Sequence, residues 1–226
     1  MLNSIQREAG FTLIEILIGI TIMGILLVMG IPSFKSWIQN TQIRTATEAI
    51  QNGLELARAE AVRRNTQVRF QLTSTVDNTC TKNTASGNWV VSLDDPTGLC
   101  AGAKLNDTFL INDTVNNPAP RIIQARPVVA GSANVAVASQ EMGGGAPIYN
   151  GSITFNGVGR VIPTSVTPGD SVQIDITNPV IGGNCVSAGG PMRCLRVNIS
   201  SGGLIRSCNP IWSSIPTQSN YDPQGC

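Results

Sequence analysis

The chain has 226 residues, enough for one medium domain with appendages and too few for two large ones. Only 13% of the residues are charged, against roughly 25% in ordinary soluble domains, while 42% are apolar. Fifteen Lys and Arg against fourteen Asp and Glu leave a net charge of +1, and histidine is absent, which removes a global hold on nucleic acid, the usual zinc ligand and every Ser-His or Cys-His catalytic pair.

A polar leader over residues 1–10 opens the chain and carries Arg7 and Glu8. The 21 residues from Phe11 to Ile31 are then apolar except for small polar residues and one charge, Glu15. As a helix this stretch covers about 30 Å, the thickness of a bilayer's hydrocarbon core, and predicts one membrane span. A cleaved secretory signal is the competing reading. Its apolar core should be shorter, end at a small-x-small site and hold no acid, and none of these is met here.

Beyond Pro32 the apolar run stops but a helical period continues. Ile43, Ala46, Ile50, Leu54, Ala57 and Ala61 step by three or four residues. Arg44, Glu48, Glu55, Arg58, Glu60, Arg63 and Arg64 take the opposite face, with Glu60 and Arg64 in the favourable i,i+4 order. Pro32 predicts a kink, and Gly53 weakens the helix by about 1 kcal/mol relative to alanine. Taken from Thr12 to about Arg64, the element is on the order of 80 Å long.

From Gln67 the period changes to two, with Val68, Phe70 and Leu72 alternating with polar residues as in a half-buried strand. Further strands are predicted at 89–93, 109–111, 121–125, 134–138, 152–155, 172–176, 194–199 and 204–206. Asn156-Gly157 and Gly202-Gly203 read as type I′ hairpin turns. Segments 113–120, 142–147 and 181–191 read as loops rich in Gly, Pro and Asn.

All six cysteines lie beyond residue 79, which points to disulfides formed in an oxidising compartment. Proximity alone pairs Cys80 with Cys100, Cys185 with Cys194 and Cys208 with Cys226, one of 15 connectivities. Each bridge contributes on the order of 2–4 kcal/mol, mainly by restricting the unfolded chain. The cysteine spacing does not fit a metal site, so neither metal nor cofactor is expected. A membrane-anchored hydrolase would need an unusual Ser-Lys scheme, and neither Lys82 nor Lys104 sits in such a motif.

The segment Gly10-Phe11-Thr12-Leu13-Ile14-Glu15 resembles the processing signal of the type IV pilin and type II secretion pseudopilin superfamily, and Pro32 falls where many members carry a helix-kinking proline. The resemblance implies cleavage between Gly10 and Phe11 by a prepilin peptidase, followed by methylation of the new Phe11 amine. A glutamate in hydrocarbon costs about 2.5–3.5 kcal/mol, so Glu15 needs a partner, and the Phe11 amine of a neighbouring subunit fits. The competing reading leaves Glu15 snorkelling at the interface. Gly19, Gly24 and Gly30 offer places for close helix approach.

Within the superfamily, Ala57-Arg58-Ala59-Glu60-Ala61-Val62-Arg63-Arg64-Asn65 and Phe155-Asn156-Gly157-Val158-Gly159-Arg160 resemble segments of the GspH/FimT/FimU group of minor pilins and pseudopilins. The implied fold is α+β and type IV pilin-like. It has a leader over 1–10, a transmembrane half-helix over 11–31, an amphipathic half over 32–66, and a disulfide-bonded antiparallel β-rich periplasmic domain over 67–226. The implied function is that of a non-enzymatic minor pilin in the inner membrane, at or near a pilus tip. Its partners are other minor pilins, the major pilin, the prepilin peptidase, the assembly platform and membrane lipid. A GspH-type pseudopilin of type II secretion is the alternative.

A DNA-uptake subunit is a third reading, because some members bind DNA through a carboxy-terminal G-R-x-R motif. Here Leu204 stands at the first arginine and Arg206 alone matches. Arg193 and Arg196 compensate only if they share its face. For Arg63 and Arg64, attraction of cations to a helix C-terminus is preferred over a contact with another protein.

Overall fold

A continuous helix, α1 (Leu13–Arg64), dominates the chain. The computed structural model describes residues 11–128, 132, 135–141, 151–162, 171–178 and 184–226, with backbone alone at 29, 30, 32, 33 and 139–141. The leader, Gly10, the side chain of Pro32 and the loop 142–147 therefore lie outside the described residues. Backbone contacts divide the chain into two units at the Ile38–Gln39 bond.

In the first unit, α1 starts where Thr12 O accepts the amides of Glu15 and Ile16. Its described large apolar side chains from Leu13 to Ile31 are between 51% and 81% exposed. Among the described residues, no helix is long and apolar enough to cross a membrane.

In the second unit, the helical stripe expected from the sequence is buried. Ile43, Ala46, Ile50, Leu54, Ala57 and Ala61 are between 0% and 6% exposed and belong to one core with both sheets. Buried Thr47 is satisfied within the helix by donating to Ile43 O at 2.8 Å. The helix ends on Asn65, held at φ +48°. Asn65 N donates to Val62 O and Thr66 N to Ala61 O, the paired bonds that close a helix through a left-handed residue.

The strands are β1 (Val68–Thr73), β2 (Asn88–Ser92), β3 (Ile122–Arg126), β4 (Ala136–Glu141), β5 (Ser152–Phe155), β6 (Val161–Ile162), β7 (Val172–Thr177), β8 (Leu195–Ile199) and β9 (Ile205–Cys208). They form a five-stranded sheet, β3-β2-β1-β5-β6, and a four-stranded sheet, β4-β7-β8-β9, with every pair antiparallel. Val68, Phe70, Leu72, Trp89 and Phe155 from the first sheet meet Val172, Ile174, Ile176, Val197 and Ile199 from the second in the shared core.

Three expectations change. Residues 109–111 are irregular chain between turns, not a strand, because Asn106 and Asp113 turn the chain through side-chain and backbone bonds. β1 is buried on both faces rather than one. Its outer residues Gln71 and Thr73 are both buried, and Gln71 Nε2 donates at 3.0 Å to Thr97 Oγ1 in the segment that the Cys80–Cys100 bridge closes, where Cys80, Cys100, Val90 and Ile122 make a second small core. The hairpin turns are not of type I′. The positive φ falls on Gly159 (+77°) and Gly203 (+84°), one position in each loop.

Both hairpins instead use a three-residue form with a left-handed glycine third. Asn156 N donates to Arg160 O at 2.9 Å and Gly159 N to Asn156 O at 2.8 Å. Ser200 N donates to Leu204 O at 3.0 Å and Gly203 N to Ser200 O at 2.8 Å. β6, only two residues long, is too short for a periodic pattern to show in sequence. The bridges join Cys80 to Cys100, Cys185 to Cys194 and Cys208 to Cys226, with Cα separations of 6.1, 5.4 and 5.2 Å.

Gly53 gains a packing role that propensity alone did not show. A Cβ there stands 2.8 Å from Phe70 Cε2 and 2.9 Å from Trp89 Cε2. Both rings are buried and pack on each other at 5.8 Å, so neither has room to yield. Gly53→Ala gains about 1 kcal/mol of helix propensity and loses about 1–3 kcal/mol to overpacking. The expected outcome is a net destabilisation, read as a lower urea midpoint than wild type; an unchanged or higher midpoint shows that the helix can retreat from the rings.

Candidate functional site

Three groups of side chains merit attention: the exposed N-terminal end of α1, the junction at its C-terminal end, and the arginines of the second sheet. At the N-terminal end, Phe11 and Glu15 are exposed, and Phe11 reaches 81%. Thr21 satisfies its hydroxyl by donating back to Ile18 O at 2.8 Å, so this side chain presents no unmet donor to an apolar surrounding. A Cβ on Gly19 or Gly24 meets nothing within 4 Å. Their lack of a side chain therefore has no explanation within the described residues and leaves open flanks for close approach by another helix.

At the C-terminal end, α1 carries a network that the sequence reading only partly anticipated. Arg64 Nε pairs with Glu60 at 2.7 Å, as the i,i+4 spacing predicts. Arg63 also reaches Glu60, at 2.8 Å, and both arginines cross to Asp107, at 3.0 and 2.7 Å. Arg63 and Arg64 thus hold the loop around Asp107 against the helix end. Burial pushes the Glu60 carboxyl up, and hydrogen bonds and charge from Arg63 and Arg64 outweigh it, so the net direction is down. Hydrogen bonds from Arg64 and Arg63 hold Asp107 below the usual carboxylate range.

Arg58 lies on the helix face opposite the apolar stripe. It donates from Nε to Gly159 O at 3.3 Å. A Cβ on Gly159 lies 3.2 Å from Arg58 Nε, and one on Gly203 lies 3.3 Å from the same atom and overlaps Gly159 O. Val161 N donates to Ser201 O at 3.2 Å. The two hairpin turns, one from each sheet, therefore meet over Arg58. A Cβ on Gly157 lies 2.9 Å from Asn65 C, so the same hairpin also rests on the end of the helix. The alanine-, arginine- and glycine-rich segments that carried the family resemblance are the two sides of this joint. Asp107 had no signal in the sequence, since a lone aspartate in a loop is ordinary.

On the second sheet, Arg196 faces Asp175 across β7 and β8, and its Nη2 donates to Asp175 Oδ2 at 3.1 Å. Arg206 pairs in register with Asn198, so Arg196 and Arg206 share the sheet's outer face. Arg206 donates from Nη2 to Gly225 O at 2.7 Å, which ties the strand to the tail. Arg193 is exposed and donates its backbone N–H to Asn40 Oδ1 at 2.8 Å. The shared face that the DNA reading requires exists for one pair, with Arg196 already matched to a carboxylate.

Known families bear on both ends of the chain. A model described as the prokaryotic N-terminal methylation motif matches residues 5–31, and one described as type II transport protein GspH matches residues 46–203. Two crystal forms of the type IV minor pilin FimU from Pseudomonas aeruginosa resemble this chain at 13% identity. Their TM-scores are 0.44 and 0.42, covering 75% and 73% of this chain and 90% of theirs. No curated protein matches.

The ion network sets an acid dependence. Glu60 and Asp107 have folded pKa values below their unfolded ones, so their stabilisation is present above the ordinary carboxylate range and is lost as pH falls through the depressed values. Asp107→Asn is expected to lower the urea midpoint at neutral pH and to flatten its decline below about pH 4. Parallel wild-type and variant curves across that range contradict a role for this pairing in the folded state.

Proposed function

Because the chain belongs to the GspH family of type IV pilin-like proteins and carries the prepilin methylation motif, we propose that it is a non-enzymatic minor pilin assembled through the N-terminal end of α1. The observation that carries this reading is the pairing of opposites within one helix. Its C-terminal stripe is fully buried in its own domain, whereas its N-terminal side chains are exposed along their length. Such a surface is stable only in lipid or against other apolar helices.

In the proposed mechanism the peptidase removes residues 1–10 and the apolar half-helix from Phe11 to Ile31 resides in the inner membrane, with the β-rich domain in the periplasm. Subunits then associate side by side. Glu15 accepts a charge-assisted hydrogen bond from the Phe11 amine of a neighbouring pilin, which removes an unpaired charge from an apolar setting. Gly19 and Gly24 admit the neighbouring helix, and Pro32 is assigned the flexing point. Other minor pilins, the major pilin and the assembly platform are the partners. The disulfides brace the domain.

The description of the family model favours a second reading, a pseudopilin serving protein secretion. Deleting the gene separates the two: loss of surface filaments supports the pilus reading, and loss of exported proteins with filaments intact supports the other. DNA binding is weighed down by the Asp175–Arg196 pair.

Glu15→Ala is expected to leave leader removal intact and to reduce incorporation into filaments about tenfold or more, as loss of a buried charge pair worth roughly 1.5–3 kcal/mol demands. Immunoblots of sheared filaments and of membranes read both quantities. Full incorporation of the variant shows that Glu15 has no partner in the assembled state.

A further inference from the structure

The inference rests on the membrane-anchored reading and adds a depth marker to it. Past Ile31 the helix does not turn polar at once. Phe34 and Trp37 lie at i and i+3 on one face, 59% and 63% exposed, with ring centroids 5.8 Å apart and planes at 27°. Ile38, next on that face, is 37% exposed, and Leu27 and Ile31 continue the same stripe back into the apolar stretch at 57% and 51%. Lys35 is also exposed.

The axial positions decide what covers these rings. Phe34 stands about 4.5 Å and Trp37 about 9 Å beyond Ile31 along the helix axis. With Phe11 to Ile31 filling a hydrocarbon core of about 30 Å, both fall within the headgroup zone that follows it. Amphipathic rings favour this layer, because the ring body leaves water while the indole N–H keeps polar neighbours. An ammonium beside them meets lipid phosphate while its stem lies along apolar surface.

We propose that Phe34, Lys35 and Trp37 form an interfacial collar that seats in the phospholipid headgroup layer and fixes the depth of the apolar half-helix before assembly. The fit is to a lipid surface, since the stripe is continuous with the segment read as a span and its spacing matches the layer.

Tryptophan emission tests this directly. Of the three tryptophans, Trp89 is 2% exposed in the core and Trp212 lies in the tail. The full chain with Trp212→Phe is reconstituted into phosphatidylethanolamine and phosphatidylglycerol vesicles that carry a nitroxide either at the headgroup or deep in the acyl chain. The difference between wild type and Trp37→Phe isolates the same signal without relying on the tail variant. Headgroup nitroxide is expected to quench Trp37 at least about twofold more strongly than the deep label. Flotation of the protein with the vesicles, combined with no quenching or with stronger deep quenching, overturns the collar and leaves the anchored reading standing. Failure to float overturns both.

Discussion

The structure depends on one contact: the stripe of α1 from Ile43 to Ala61 packed into both sheets at once. Each sheet is small, and the four-stranded one has no second layer of its own among the described residues. The helix supplies a common apolar surface, and Phe70, Trp89 and Phe155 on one side and Ile174, Ile176 and Val197 on the other complete it. Gly53 sets how near the helix comes, because its missing side chain is the space that the Phe70 and Trp89 rings occupy. Arg58 then locks the far end, where a turn from each sheet converges on one guanidinium.

This arrangement gives the charged pattern of the helix end a physical meaning without any appeal to function. Glu60 organises Arg63 and Arg64, which anchor the Asp107 loop. Asn65 tolerates the left-handed closure that most side chains resist, and Gly157 lets the hairpin rest on it. Arg64 and Glu60 are only 12% and 15% exposed, so theirs is the least screened pair of the network that also holds Asp107.

The sequence made the helix legible because burial there has a strict period: every residue of the predicted stripe is in the core. Strand positions were legible where polar and apolar residues alternate, as in β5, β7 and β8. The reading failed where a side chain's role depends on a distant partner. Gln71 looked like a solvated strand residue and is buried, with its side chain donating to Thr97 in a disulfide-closed segment. Arg58 looked like a surface charge and is a hydrogen-bond donor to a turn 101 residues away. Positive φ falls on Gly159 rather than on Asn156-Gly157, and on Gly203 alone of Gly202-Gly203, since turn type depends on how the strands pair and not on a dipeptide. At the candidate assembly site the opposite holds: Glu15 stood out in sequence as a lone acid, and the structure adds that its surroundings are open.

The β-rich unit is self-sufficient in this arrangement, and the first part of α1 is left to be stabilised from outside. Comparing the unfolding of residues 39–226 with that of the full chain in detergent tests this division most directly. Matching midpoints and a cooperative transition are expected for the fragment, because the whole stripe from Ile43 to Ala61 is retained. A fragment that is unfolded, or that melts well below the full chain, would contradict this division by showing that the N-terminal segment stabilises its own domain.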